Sequence, residues 1–190
     1  MSAGEASRAA VEFAVHADAG DRCATVVGVV LGGEFRAYVD EDGELVGDRA
    51  QPAEAAPGTE LIEGPASALP LRIAEFVDLG PRPAPDADAS VLIAEELGGE
   101  GRDGVLATWD AEQRDGTALE GDDWLWWTAA VSWEVDGEPR VNVLSVIDGG
   151  AQGLAVVLEH ERGGLVATPC TSTEVWAALC DLLPRASDLA

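Results

Sequence analysis

Two stretches of this chain end in the same way. Residues 76–83 read FVDLGPRP and residues 179–186 read LCDLLPRA, so each closes an apolar run with Asp-Leu, one further residue and Pro-Arg. Alone, either is a helix stop. Upstream of both, however, matching features recur in the same order. VGVVLGG (27–33) corresponds to LSVIDGG (144–150), and DEDGELV (40–46) to EHERGGLV (159–166). Three echoes in one order predict an internal duplication, and a repeated unit narrows the possible folds sharply.

The periodicity fills in that unit. Residues 10–17 place Val11, Phe13, Val15 and Ala17 on one side and Glu12 and His16 on the other, the pattern of a half-buried strand. Residues 23–31 (CATVVGVVL) are more continuously apolar, as in a strand covered on both faces. Gly32-Gly33 turns into a strand at 35–39, and Asp42-Gly43 signals a turn before Leu45-Val46. Residues 48–64 read as a loop. A helix follows over 66–79, with Leu69, Ile73, Phe76 and Val77 on its apolar face and Gly80-Pro81 as its stop.

Residues 84–123 form a linker or irregular connection, entered through the proline-rich stretch 81–90; within it, 91–97 fits a strand or a short helix. Then the order returns. Strands are expected at 127–135, 141–147, 153–159 and 165–167, joined by Asp136-Gly137, Gly149-Gly150 and Gly163-Gly164. The last helix, TSTEVWAALCDLLP, opens with a capping box of Thr171 and Glu174 and carries a stripe of Val175, Trp176, Leu179, Leu182 and Leu183.

Strands in tandem across short glycine turns favour antiparallel pairing. The expected fold is α+β: one domain over 1–190, with a first repeat at 10–83 and a second at 124–186. Each half is a small antiparallel sheet followed by a helix. Packing about a pseudo-twofold axis would bury the sheet face that one unit leaves uncovered.

Composition excludes several functions. Thirty-six acidic residues against 11 basic ones give a net charge of −25, which argues against nucleic acid or an anionic membrane as partner. It fits a highly soluble cytosolic protein, a halophile's protein, or a partner for basic surfaces. Every basic residue is arginine, so a P-loop lysine, a Schiff-base lysine and a lysine general base are all ruled out. Cys23, Cys170 and Cys180 are odd in number and form no CxxC, which suits a reducing compartment. The N-terminus lacks an apolar signal region, and no apolar run approaches the ~20 residues of a membrane-spanning helix. A cytoplasmic location is expected.

Catalytic machinery is sparse. His160 sits between Glu159 and Glu161, but on an extended strand those neighbours point to the opposite face. Cys23 and Cys180 read as core filler. Cys170 lies just before the last helix, where a helix N-terminus favours a thiolate, yet no histidine is near it in sequence. No GxSxG or GxGxxG occurs, and the acidic clusters at 40–44 and 120–124 lack a calcium-loop pattern. No catalytic, cofactor-binding or metal-binding residue is assigned, and no cofactor is expected.

The tryptophans are less ordinary. Four of the six fall in DWLWWTAAVSW (123–133). Trp127 and Trp133 share the inward side of the expected strand. Trp124 and Trp126, with Thr128 and Ser132, fall on the other side, where they form a candidate partner-binding face unless the 91–120 connection covers them.

The run RVNVLSVIDGG (140–150), VVLE (156–159) and GLVATPCTSTEVWAALCDLLP (164–184) resembles the C-terminal half of the EspG proteins, associated with actinobacterial type VII (ESX) secretion. VGVVLGGEFRAYVDEDGELV (27–46) and FVDLGPRPAPDADASVLI (76–93) resemble that family's earlier repeat. The resemblance implies an internally duplicated α+β fold and an actinobacterial source. It further implies a cytosolic chaperone or adaptor that binds a helical PE–PPE-like secretion substrate without chemistry. Against the family pattern, the chain begins almost at the first repeat and its central segment is shorter and glycine-rich, so no partner-binding residue is carried over. The alternative reading is a small-molecule enzyme with its cleft between the two halves, in which Cys170 or His160 would meet acidic groups.

Overall fold

The computed structural model describes residues 10–18, 23–40, 60–83, 92–93, 125–159 and 165–185. In chain order they form strands β1 (Val11–Asp18), β2 (Cys23–Leu31), β3 (Glu34–Asp40) and β4 (Glu60–Pro65), then helix α1 (Leu69–Phe76). After β5 (Leu92–Ile93) come β6 (Leu125–Val135), β7 (Glu138–Asp148), β8 (Leu154–Glu159), β9 (Leu165–Cys170) and helix α2 (Ser172–Asp181). The strands make one nine-stranded sheet in the order β4-β3-β2-β1-β6-β7-β8-β9-β5. The pairs are antiparallel throughout. The chain is therefore α+β, as its tandem strands predict.

Local chemistry sets the hairpins. Gly32 and Gly33 (φ 63° and 90°) join β2 to β3, and Asp136 and Gly137 (φ 53° and 82°) join β6 to β7. Two successive positive φ angles match the right-handed twist of the flanking strands, and Gly or Asp-Gly adopts them most readily.

One face of the sheet carries both helices. Val11, Phe13, Val15 and Ala17 are buried, while Glu12 and Ala14 on the same strand are exposed. The buried set packs with Val131, Ala129 and Trp127 of β6 and with Leu69, Ile73 and Val77 around α1. Val175, Leu179 and Leu182 bring α2 into the same cluster. Each such side chain contributes about 1.5–3 kcal/mol on burial. Asn142 Nδ2 on β7 donates to the Leu182 carbonyl at 2.9 Å, anchoring the end of α2 to the sheet.

The capping box at Thr171 is present. The Glu174 amide donates to Thr171 Oγ1 at 3.2 Å, and the Thr171 amide donates to Glu174 Oε2 at 2.7 Å. At the end of α1 the stop lies earlier than Gly80-Pro81. Asp78 takes the left-handed conformation (φ 48°) and the Leu79 amide donates to the Ala74 carbonyl at 2.8 Å. Asp is among the few residues that tolerate that conformation without glycine.

Some expectations need correction. Residues 60–64, read as part of a loop, belong to the edge strand β4, paired with β3 from Val39↔Glu60 to Glu34↔Pro65. Its alternation is short, and its Pro65 is tolerated because it ends an edge strand. Leu45-Val46 lies outside the described residues. Residues 23–31 are not enclosed on both sides: Val27 and Val29 are half-buried and Leu31 is 51% exposed. Trp176, placed in the apolar stripe of the last helix, is 39% exposed, and Cys180, read as core filler, is exposed. Val175, Leu179 and Leu182 already fill the α2 interface, so their neighbours turn outward.

Candidate functional site

Residues directly opposite one another in an antiparallel sheet share a side. The register therefore maps the face away from the helices row by row. Thr25, His16, Thr128 and Ser145 form one row across β2, β1, β6 and β7. Val27, Ala14, Ala130 and Val143 form the next, and Val29, Glu12, Ser132 and Val141 the one beyond.

The polar row is knitted by side chains. His16 Nδ1 lies 3.1 Å from Thr25 Oγ1, and Thr25 is buried. Thr128 Oγ1 and Ser145 Oγ are 2.9 Å apart, and the Trp126 indole N–H donates to Ser145 Oγ at 2.9 Å. The row runs on into Val157 and Ala167, and to one side of it lie Ile147 and Ala155; all four are buried although they face away from the helices. To the other side the face is open. Val141 is 59% exposed and Val143 61%. Leu31 and Leu61 add apolar surface on β2 and β4.

Carboxylates border this apolar area. Glu12 lies within it, between Val29 and Ser132, and Glu34 and Glu134 stand toward the hairpin ends; all three are exposed. Arg36 on the same face is engaged by Glu63, Nε to Oε1 at 2.7 Å.

The candidate partner-binding residues are thus divided. Thr128 and Ser132 lie on this face and are half-buried. Trp126 shares the face but is only 8% exposed, its indole directed at Ser145, so it does not form part of an exposed tryptophan pair. Trp124 lies outside the described residues. Sequence reasoning missed the two exposed valines. Nothing local marks them in VNVLSVI (141–147), where Val141 and Val143 are as apolar as the buried Leu144 and Val146.

Of the candidate chemical groups Cys170 and His160, only Cys170 is among the described residues. Cys170 is buried against β8, and burial, more than any other influence, pushes its thiol up to about 11. At neutral pH it is protonated, contrary to the thiolate that its place before α2 suggested, because loss of water outweighs the helix terminus. His160 and the 120–124 cluster lie outside the described residues. Among the described residues, no group of three or more His, Cys, Asp or Glu side chains is arranged to hold a metal ion. No described helix is long and apolar enough to cross a membrane.

No protein-family model matches the chain, and no curated protein matches it. Among solved structures it is similar to the Mycobacterium tuberculosis type VII secretion system chaperone EspG5, whose structure is a complex with the PE25–PPE41 dimer. The TM-score is 0.48 at 11% identity, over 93% of this chain and 74% of that one. A likeness of that degree concerns overall shape and assigns no residue a role.

Proposed function

We propose that this chain is an EspG-like chaperone or adaptor of a type VII secretion system. It holds a helical, PE–PPE-like secretion substrate in the cytoplasm by reversible contact, with no covalent chemistry. The observation that carries this reading is the open sheet face. An antiparallel sheet ordinarily turns polar side chains to water, whereas here Val141 and Val143 stand more than half exposed, with an exposed Ala14 and half-buried Val27 and Val29 on the same face. Exposed apolar side chains of this kind on a sheet face favour a site of protein association.

The resemblance of residues 140–184 to the EspG pattern supports the same conclusion. So does the strand order, in which β4-β3-β2-β1 and β6-β7-β8-β9 run outward from a central β1–β6 pair. That arrangement favours the reading of two duplicated halves about a pseudo-twofold axis. The net charge of −25 would keep the complex dispersed.

The test is co-purification with helical secretion substrates of the native host. A stable, stoichiometric complex in size-exclusion chromatography with light scattering is expected. If folded protein captures none of those substrates, the reading is wrong.

A further inference from the structure

The open face carries two kinds of group in a fixed pattern. Val27 and Val143 stand in one row, separated by the small Ala14 and Ala130 on the central strands, and Val29 and Val141 in the next, separated by Glu12 and Ser132. In the first of these rows Ala14 is exposed and Ala130 half-buried, so no large side chain covers β1 and β6 there. Glu12 sits in the second row, and Glu34 and Glu134 beyond it. Among the described residues on this side, Arg36 is already paired with Glu63 at 2.7 Å. The face therefore passes from an apolar row at Val27, Ala14, Ala130 and Val143 to carboxylates on one side of it, Glu12 first and then Glu34 and Glu134.

We infer that this face receives an amphipathic helix of a partner protein. The helix's aliphatic stripe would seat along Val27, Ala14, Ala130 and Val143, and arginines or lysines beside the stripe would meet Glu12, Glu34 and Glu134. The inference rests on the adaptor reading above and adds to it the surface and the charge of the partner. Charge decides the occupant. A second copy of this chain would bring like carboxylates together, which disfavours self-association. A helix flanked by acids would suffer the same repulsion, whereas a basic border supplies attraction and fixes register. Because the carboxylates are exposed, the attraction is screened within about 10 Å at 0.1 M salt, so binding is salt-sensitive.

The experiment uses the full chain with isotope-labelled valine methyls and two synthetic helical peptides. Both peptides carry the same leucine stripe, flanked in one by arginines and in the other by glutamates. The arginine peptide is expected to shift the Val27 and Val143 methyl resonances, and the glutamate peptide is not. Raising NaCl from about 50 mM to about 500 mM should weaken the interaction about tenfold. Val143→Asp, at an exposed strand position, should weaken it by a similar factor with an unchanged far-ultraviolet spectrum. Equal binding of both peptides, shifts confined to other valines, or no binding by either would overturn the inference. The adaptor reading is judged separately: a host substrate that binds Val143→Asp as tightly as the parent chain removes this surface and leaves that reading standing. Binding of the arginine peptide at this face without any host substrate does the reverse.

Discussion

Arg82, in the segment that follows α1, grips Asp148 at the end of β7. Nε lies 2.9 Å from both carboxylate oxygens and Nη2 lies 2.8 Å from Oδ2. Asp148 is 4% exposed and also accepts the Gly150 amide at 2.9 Å. Beside this pair, the Arg82 amide donates to Ser172 Oγ at 3.1 Å, and that hydroxyl donates to the Gly80 carbonyl at 3.0 Å. The Pro-Arg that follows the first helix is thus a clamp onto β7 and the start of α2. The second Pro-Arg is not equivalent: Arg185 reaches Asp181, one turn back, at 3.3 Å on the surface.

Breaking that clamp from the arginine side strands a buried carboxylate. Arg82→Ala is expected to lower stability by about 3 kcal/mol, since removing one partner of a buried pair leaves the other uncompensated. Arg185→Ala, at an exposed pair, should change it by less than about 0.5 kcal/mol. Urea denaturation of both variants measures the contrast, and equal losses would refute it.

Gly28 is required for space. A Cβ there would lie 2.5 Å from Phe13 Cζ and would also collide with the Arg36 carbonyl oxygen. One obstacle is backbone and the other a buried ring, so neither moves cheaply. Gly28→Ala should cost about 2 kcal/mol through overpacking, seen as a lower thermal midpoint. An unchanged midpoint would show that β2 and β3 can separate there.

Trp126 is a packing residue whose removal should be felt in stability. Trp126→Ala is expected to cost about 3 kcal/mol, and Trp126→Phe about 1 kcal/mol for the hydrogen bond to Ser145. Denaturation curves with little shift for the alanine variant would contradict its burial.

The capping box makes α2 sensitive to acid. Hydrogen bonds from the Thr171 amide and hydroxyl hold the Glu174 carboxyl below its usual range. A carboxyl depressed in the folded state contributes stability above its unfolded pKa, and loses it as pH falls through the folded one. The pH dependence of unfolding in the acid range should therefore flatten in Glu174→Gln. Thr171→Ala should cost about 1 kcal/mol at neutral pH. An acid limb identical in parent and Glu174→Gln would exclude the linkage.

The cysteines should differ in reactivity. Cys180 is exposed, whereas Cys170 is buried with its thiol raised from 9.0 to about 11. Alkylation at mildly alkaline pH, mapped by mass spectrometry, should label Cys180 and spare Cys170. With its pKa raised in the folded state, the contribution of Cys170 is full below the unfolded value and is lost as pH climbs toward about 11. Equal labelling of the two would overturn this.

What the sequence determined by itself is local. The alternation in Val11–Ala17 specified which side of β1 is buried, Asp136-Gly137 specified a hairpin, and Thr171 with Glu174 specified where α2 begins. Each depends on a few neighbouring residues whose backbone geometry repeats every two or every 3.6 positions. The tertiary structure alone decided which apolar residues meet water. Val143 belongs to a run as hydrophobic as any in the core, and it lies open because both helices settle on the other face. Trp126 and Trp176 exchanged their expected places for the same reason: burial depends on what lies across the interface, which no local pattern encodes. The Arg82–Asp148 pair, 66 residues apart in sequence, exists only because the sheet brings β7 beneath the end of α1's segment.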